Sequence, residues 1–175
     1  YEAVIFFLFC TIFDTQTPVH ATAECNALEK RGVVVKPESI SASYAGMSTR
    51  MVFAELAPHL NPDELVEEKW IMVKNIIEQT HPEPIESMDV LLAHLALKRV
   101  PVIIASASPR WYIEILLTKN MRVSMDGLLR HTPLKNYFKE NYISAEEVPN
   151  PKPAPDVFIE AARRVGVKPK KCLVI

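Results

Sequence analysis

Glycine is scarce in this sequence, with four in 175 residues, and no glycine-rich phosphate loop can be built from them. Neither G-x-G-x-x-G nor G-x-x-x-x-G-K occurs. An excess of either charge is also missing: 20 Lys and Arg against 21 Asp and Glu leave −1. No field of one sign therefore invites nucleic acid or an anionic membrane as partner. Cysteine is limited to Cys10, Cys25 and Cys172. Their spacing suits neither a zinc site nor a redox pair, and an odd count argues against a closed disulfide framework. N-x-[ST] acceptors are absent, so a reducing cytoplasm is the expected location. His59, His81, His94 and His131 show no ligand spacing. No apolar run approaches the roughly 20 residues of a membrane helix.

Two terminal signals are imitated and set aside. Ala3 to Phe13 is apolar and precedes Ala21-Thr22-Ala23, as in a signal peptide, but Tyr1 and Glu2 supply no positive charge and Asp14 interrupts the run. Cys172-Leu173-Val174-Ile175 has the form of a prenylation signal, yet it reads as a buried strand. A start without Met and an apolar end read as a piece of a longer protein.

What is present is an apolar share of 49%, enough for a core, in a length suited to one domain or to a core with a small insertion. Val4 to Thr15 is rich in Val, Ile and Phe and reads as a buried strand of a parallel sheet. Helical patterns follow it. Pro18 to Arg31 stops at Gly32, and Pro37-Glu38-Ser39 opens a short helix. Ser48 or Thr49 caps the next, and Asn61-Pro62 starts a long one. His81-Pro82-Glu83-Pro84 is a rigid linker. Beyond it, a helix over 85–98, a buried strand over 100–105 and a helix after Ser108-Pro109 are expected. Then come a strand at Tyr142-Ile143-Ser144, a helix over 153–165 stopped by Gly166, and a strand over 172–175. Asn120 to Leu134 reads as a surface insertion with a turn at Met125-Asp126-Gly127. Strands alternating with helices give the α/β class, with ligands expected beyond the carboxyl ends of the strands.

Those strand ends carry the motifs. Val148-Pro149-Asn150-Pro151-Lys152-Pro153-Ala154-Pro155-Asp156-Val157-Phe158 and Ile103-Ile104-Ala105-Ser106-Ala107-Ser108-Pro109 resemble the lysine and second motifs of the haloacid dehalogenase-like (HAD) phosphatases. His20 and Ala45-Gly46-Met47-Ser48-Thr49-Arg50 resemble cap positions of the helical-cap, β-phosphoglucomutase-like subfamily. The resemblance implies a parallel, Rossmann-like core over 1–14 and 85–175 and an inserted all-helical cap over 15–84. It also implies a core truncated at Ile175, where the family's fourth motif would begin. It implies catalytic roles for Ser106, as a hydrogen-bond partner of the phosphate, and for Lys152, which neutralises its charge. Thr11, Ala107, Ser108, His20 and Arg50 become substrate-binding candidates, Arg50 for a second phosphate. A small phosphorylated metabolite is the implied partner, and Mg²⁺ the implied cofactor.

The departure lies in the first motif. The family's D-x-D-G-T supplies a nucleophilic aspartate, an acid–base aspartate and metal-binding oxygens. Here the matching stretch is Phe7-Leu8-Phe9-Cys10-Thr11. Phe offers no nucleophile, proton or metal ligand, so loss of phosphatase activity and of Mg²⁺ binding is expected. A non-catalytic protein that binds a phosphorylated ligand, or an interaction protein, is the alternative. Cys10 does not substitute, because Thr11-Ile12-Phe13-Asp14-Thr15-Gln16 contains no Arg to close a phosphate loop. Asp14 reads either as a displaced carboxylate or as a residue at the entry to the cap.

Overall fold

The computed structural model describes residues 1–44, 47–80, 82–119, 134–150 and 152–175. The expected turn at 125–127, nearly all of the insertion over 120–134, and Ala45, Gly46, His81, His131 and Pro151 lie outside them. The chain divides into two compact units, Tyr1–Phe13 with Pro82–Ile175, and Asp14–His81.

The first unit holds a four-stranded parallel sheet in the order β3-β2-β1-β4. Its strands are β1 (Ala3–Phe6), β2 (Val102–Ser106), β3 (Tyr142–Ser144) and β4 (Cys172–Val174). Every residue of β1, β2 and β3 is buried, which explains their continuous rather than alternating apolar pattern. Their partner helices are α5 (Met88–Leu97), α6 (Arg110–Lys119), α7 (Leu134–Phe138) and α8 (Asp156–Arg164). Ile5, Ile103, Ala105 and Ile143 pack with Val157, Ala161 and Ala162 of α8. Phe6 meets Phe138 edge to face, with ring centroids 5.7 Å apart.

Several expected boundaries move. The first strand stops at Phe6 instead of running through the apolar stretch. Leu8 to Phe13 folds into a loop in which Ile12 and Phe13 both donate to the Leu8 carbonyl, at 3.1 and 3.0 Å. Cys10 takes the left-handed conformation there, at φ +56°. Leu8, Ile12 and Phe13 are nonetheless buried. Their apolar character reports burial, not extension. The last strand is half-buried at the sheet edge rather than buried. The helix over 153–165 begins only at Asp156, after Pro153 and Pro155. Gly166, at φ +70°, closes it: Val167 N–H reaches the Ala162 carbonyl at 3.0 Å, the longer bond of a Schellman ending. The short α7 was not expected from the sequence.

The second unit contains α1 (Thr22–Glu29), α2 (Pro37–Ser43), α3 (Thr49–Leu56) and α4 (Pro62–Thr80). The helix expected from Pro18 is preceded by a π-helical turn, Gln16–Ala21, and becomes α-helical only at Thr22. At the junction the Thr22 hydroxyl donates to the Thr17 carbonyl at 3.0 Å. Gly32, at φ +80°, ends α1 as expected. Ser48 caps α3 by accepting from Met51 N–H, and Asn61 caps α4 by accepting from Asp63 N–H at 3.0 Å. Leu28, Ile40, Val52, Phe53 and Leu65 form the core of this unit. Among the described residues no helix is long and apolar enough to cross a membrane.

Candidate functional site

The carboxyl ends of β1 and β2 bring together most of the candidate residues of the first unit. Phe7 follows β1, and its N–H donates to the Ile175 carbonyl at 2.7 Å, so the backbone stays in the sheet while the side chain packs at the edge. Its ring meets Phe158 of α8 edge to face at 5.4 Å. Phe9 meets Tyr112 of α6 in the same manner at 5.5 Å. The Lys152 ammonium lies 4.0 Å from the centre of the Phe7 ring and 4.9 Å from that of Phe158. It also donates to the Ala105 carbonyl at 3.5 Å. Burial lowers the Lys152 pKa from 10.5 to about 8. Among the described residues no carboxylate shares in that shift, and the ammonium rests on aromatic faces.

Next to Ala105, Ser106 and Ser108 are 2% and 1% exposed. The Ser106 hydroxyl accepts from Ser108 N–H at 3.1 Å. The Ser108 hydroxyl has no hydrogen-bond partner among the described residues. A buried hydroxyl is costly unless a polar partner, ligand or water bonds it. Ser144, at the end of β3, donates to the Ser108 carbonyl at 2.7 Å and fixes this turn. The first N–H of α6, at Arg110, is already taken by Glu146 at 3.2 Å. Ala107 lies in this turn and is exposed. Thr11 lies half-buried in the loop after β1, where Cys10 is exposed.

His20 and Arg50 belong to the second unit. Arg50 is exposed and its guanidinium grips Asp63 with two hydrogen bonds, of 2.7 and 3.3 Å. That pairing holds the Asp63 carboxyl below its usual value. His20 sits in the π-helical turn, buried, with its ring edge-on to Trp70 at 5.7 Å. Burial, then the charge of Lys69, pushes its pKa well below the ordinary value, so it is neutral. Asp14 is exposed at the start of this unit.

Sequence reasoning missed a buried charge cluster beside His20. Lys69 and Glu24 are 2% and 4% exposed, with Nζ and Oε1 3.9 Å apart. Thr49 bridges them, donating to Glu24 at 2.8 Å and accepting from Lys69 at 3.2 Å. Lys69 also lies 3.9 Å from the centre of the Trp70 ring. Burial lowers the Lys69 pKa to about 8 against the pull of Glu24. A signal was available: Lys69 interrupts Leu65, Val73 and Ile77, which are spaced by four on the buried face of α4.

The donor chemistry at the β1 edge does not suit Mg²⁺. This hard cation takes oxygen ligands, carboxylates above all. Phe7 and Phe9 offer none, and the Lys152 ammonium lies over the Phe7 ring. No group of three or more His, Cys, Asp or Glu that could hold a metal occurs among the described residues.

Known proteins resemble both the sequence and the fold. The fructose-1-phosphate phosphatase YqaB of Escherichia coli is 28% identical over 177 residues, covering 99% of this chain and 85% of that protein. A probable pseudouridine-5′-phosphatase of Drosophila melanogaster is 36% identical over 86 residues, 48% of this chain and 33% of that one. A HAD hydrolase of Entamoeba histolytica has the same fold, with a TM-score of 0.80 at 20% identity over 99% of this chain and 74% of its own. The family model of the haloacid dehalogenase-like hydrolases matches residues 4–175, and the chain belongs to that family.

Proposed function

We propose that this chain is a phosphatase- or phosphomutase-type HAD scaffold that has kept recognition of a small phosphorylated metabolite and lost its turnover. The observation that carries the reading is the pair Phe7 and Phe9 at the end of β1, with the Lys152 ammonium seated on the Phe7 ring. Neither ring can attack phosphorus or carry a proton to a leaving group. In this reading, a reaction that needs both steps has lost at these two positions the residues that would perform them. What remains is binding: Lys152 supplies charge, and Ser106 and Ser108 supply hydroxyls at the neighbouring strand end. Thr11 and Ala107 line the same edge, while His20 and Arg50 are the recognition candidates of the other unit, which we propose is the cap. E. coli YqaB is named for a sugar phosphate, which favours that substrate class here. The role of Mg²⁺ as a cofactor is correspondingly lost in this reading, and a cytoplasmic location remains the proposal.

Turnover of p-nitrophenyl phosphate with and without Mg²⁺ tests the reading. No hydrolysis above the buffer rate is expected. Hydrolysis that disappears on Lys152→Ala overturns it. A second reading, an interaction protein with an aromatic plug in its old site, is favoured by the tight edge-to-face packing of Phe7 and Phe9. Calorimetry with a sugar phosphate separates the two: absence of heat favours the interaction protein.

A further inference from the structure

We propose that the strand-edge site takes an oxyanion directly on Lys152 and needs no divalent ion to do so. The proposal rests on the functional reading above and concerns how the ligand is held. In a site lined by two aspartates, a lysine is neutralised by its neighbours. A phosphate then enters against negative charge unless a metal offsets it. The sign is reversed here. Phe7 and Phe9 bring no charge, and Lys152 has aromatic faces at 4.0 and 4.9 Å and a carbonyl at 3.5 Å in place of a carboxylate. The edge carries a positive charge of its own, part-buried, where an approaching anion is weakly screened.

The aromatic seat holds the ammonium but leaves its hydrogen-bonding unfinished. Lysine has three donors, and the Ala105 carbonyl, at 3.5 Å, is a long acceptor for one of them. Ser108 adds a buried hydroxyl with no partner, and the Ser106 hydroxyl, used so far as an acceptor, retains its proton to donate. An oxyanion brings acceptors for such donors, whereas a divalent cation finds an ammonium between two phenyl rings. The N–H of Arg110 at the start of α6 contributes little, since Glu146 occupies it.

Inorganic phosphate is the probe. Its binding to the full chain is measured by ³¹P NMR line broadening and calorimetry, once in EDTA and once in Mg²⁺. The expected dissociation constants agree within about twofold, and Lys152→Met weakens binding at least tenfold. Converting Phe7→Asp and Phe9→Asp together makes binding depend on Mg²⁺, with at least a tenfold difference between the two conditions. Far-UV circular dichroism confirms that each variant folds. Should Lys152→Met fail to fold, competition between phosphate and sulfate on the unaltered chain replaces it, and sulfate is expected to displace phosphate in EDTA. Phosphate binding seen only with Mg²⁺ overturns this proposal while leaving the functional reading intact. Absence of binding in both conditions, or binding indifferent to Lys152, also overturns it. Hydrolysis of p-nitrophenyl phosphate overturns the functional reading without touching the comparison of EDTA with Mg²⁺.

Discussion

Lys69 and Lys152 are both drawn down to about 8 by burial, yet they sit in opposite company. Lys69 lies over Trp70 and faces Glu24 across the Thr49 hydroxyl. Lys152 lies over Phe7 and Phe158, and among the described residues no carboxylate shifts its pKa. Desolvation alone is enough to lower an ammonium this far, whichever unit holds it. The counter-ion decides what the charge is for. A paired charge is spent on the fold that surrounds it. An unpaired, half-buried charge remains available to a ligand and contributes little to the fold.

The largest expected effect breaks the paired side of this comparison. Lys69→Met leaves Glu24 buried without its cation and should cost about 3–5 kcal/mol in urea denaturation of the full chain. Adding Glu24→Leu should recover most of that loss, because apolar residues of similar volume replace a buried pair at little cost. A loss below about 1 kcal/mol for Lys69→Met would mean that the pair is solvated in solution, and the contrast with Lys152 would fail.

A smaller effect compares neutral polar supports in the two units. Ser144 caps a short turn in which Glu146 N–H donates to its hydroxyl and its own N–H donates to Glu147, while the hydroxyl also holds the Ser108 carbonyl. Ser48 caps α3 with one long bond of 3.4 Å at the surface. Ser144→Ala should therefore cost about 1–2 kcal/mol and Ser48→Ala about 0.5 kcal/mol, within the range known for N-caps. Equal losses would show that burial adds nothing to such a cap.

The same contrast separates what the sequence made legible from what it hid. The parallel sheet was readable because β1 and β2 lie in short apolar runs, and Gly32 and Gly166 marked two helix ends through a conformation that glycine reaches freely. The core edge was readable because its motif spacing survives around Phe7 and Phe9. The loop from Leu8 to Phe13 was not, since a buried loop and a buried strand share one composition. The Lys69 cluster was hidden for a different reason. Glu24 and Thr49 lie 45 and 20 residues from Lys69 in sequence, and a lone lysine on a helix ordinarily lies in solvent. Only the apolar stripe it interrupts betrays it.

The smallest expected effect tests the unpaired side. Lys152→Met loses a cation–π contact of about 0.5–1 kcal/mol and is relieved of a desolvated charge, so stability at pH 7 should change by less than about 1 kcal/mol. The pH dependence shows which term remains. With a folded pKa of about 8 against an ordinary 10.5, Lys152 is less protonated in the folded state than in the unfolded state. The unfolded chain then binds more protons between those values, and stability contributed by this residue rises with pH across that window. Cys25 acts in the opposite sense, since burial raises its thiol from 9.0 to about 11, and Lys69 acts in the same sense as Lys152. The unaltered chain mixes these three with Cys172, Tyr44 and Tyr142, whose ordinary values are also raised. The difference between it and Lys152→Met isolates one. That difference should be constant up to about pH 8, change in favour of the unaltered chain as pH rises towards 10.5, and level off above it. A flat difference across the whole range would mean that the folded chain leaves Lys152 solvated, and the desolvation that makes it comparable with Lys69 would fail.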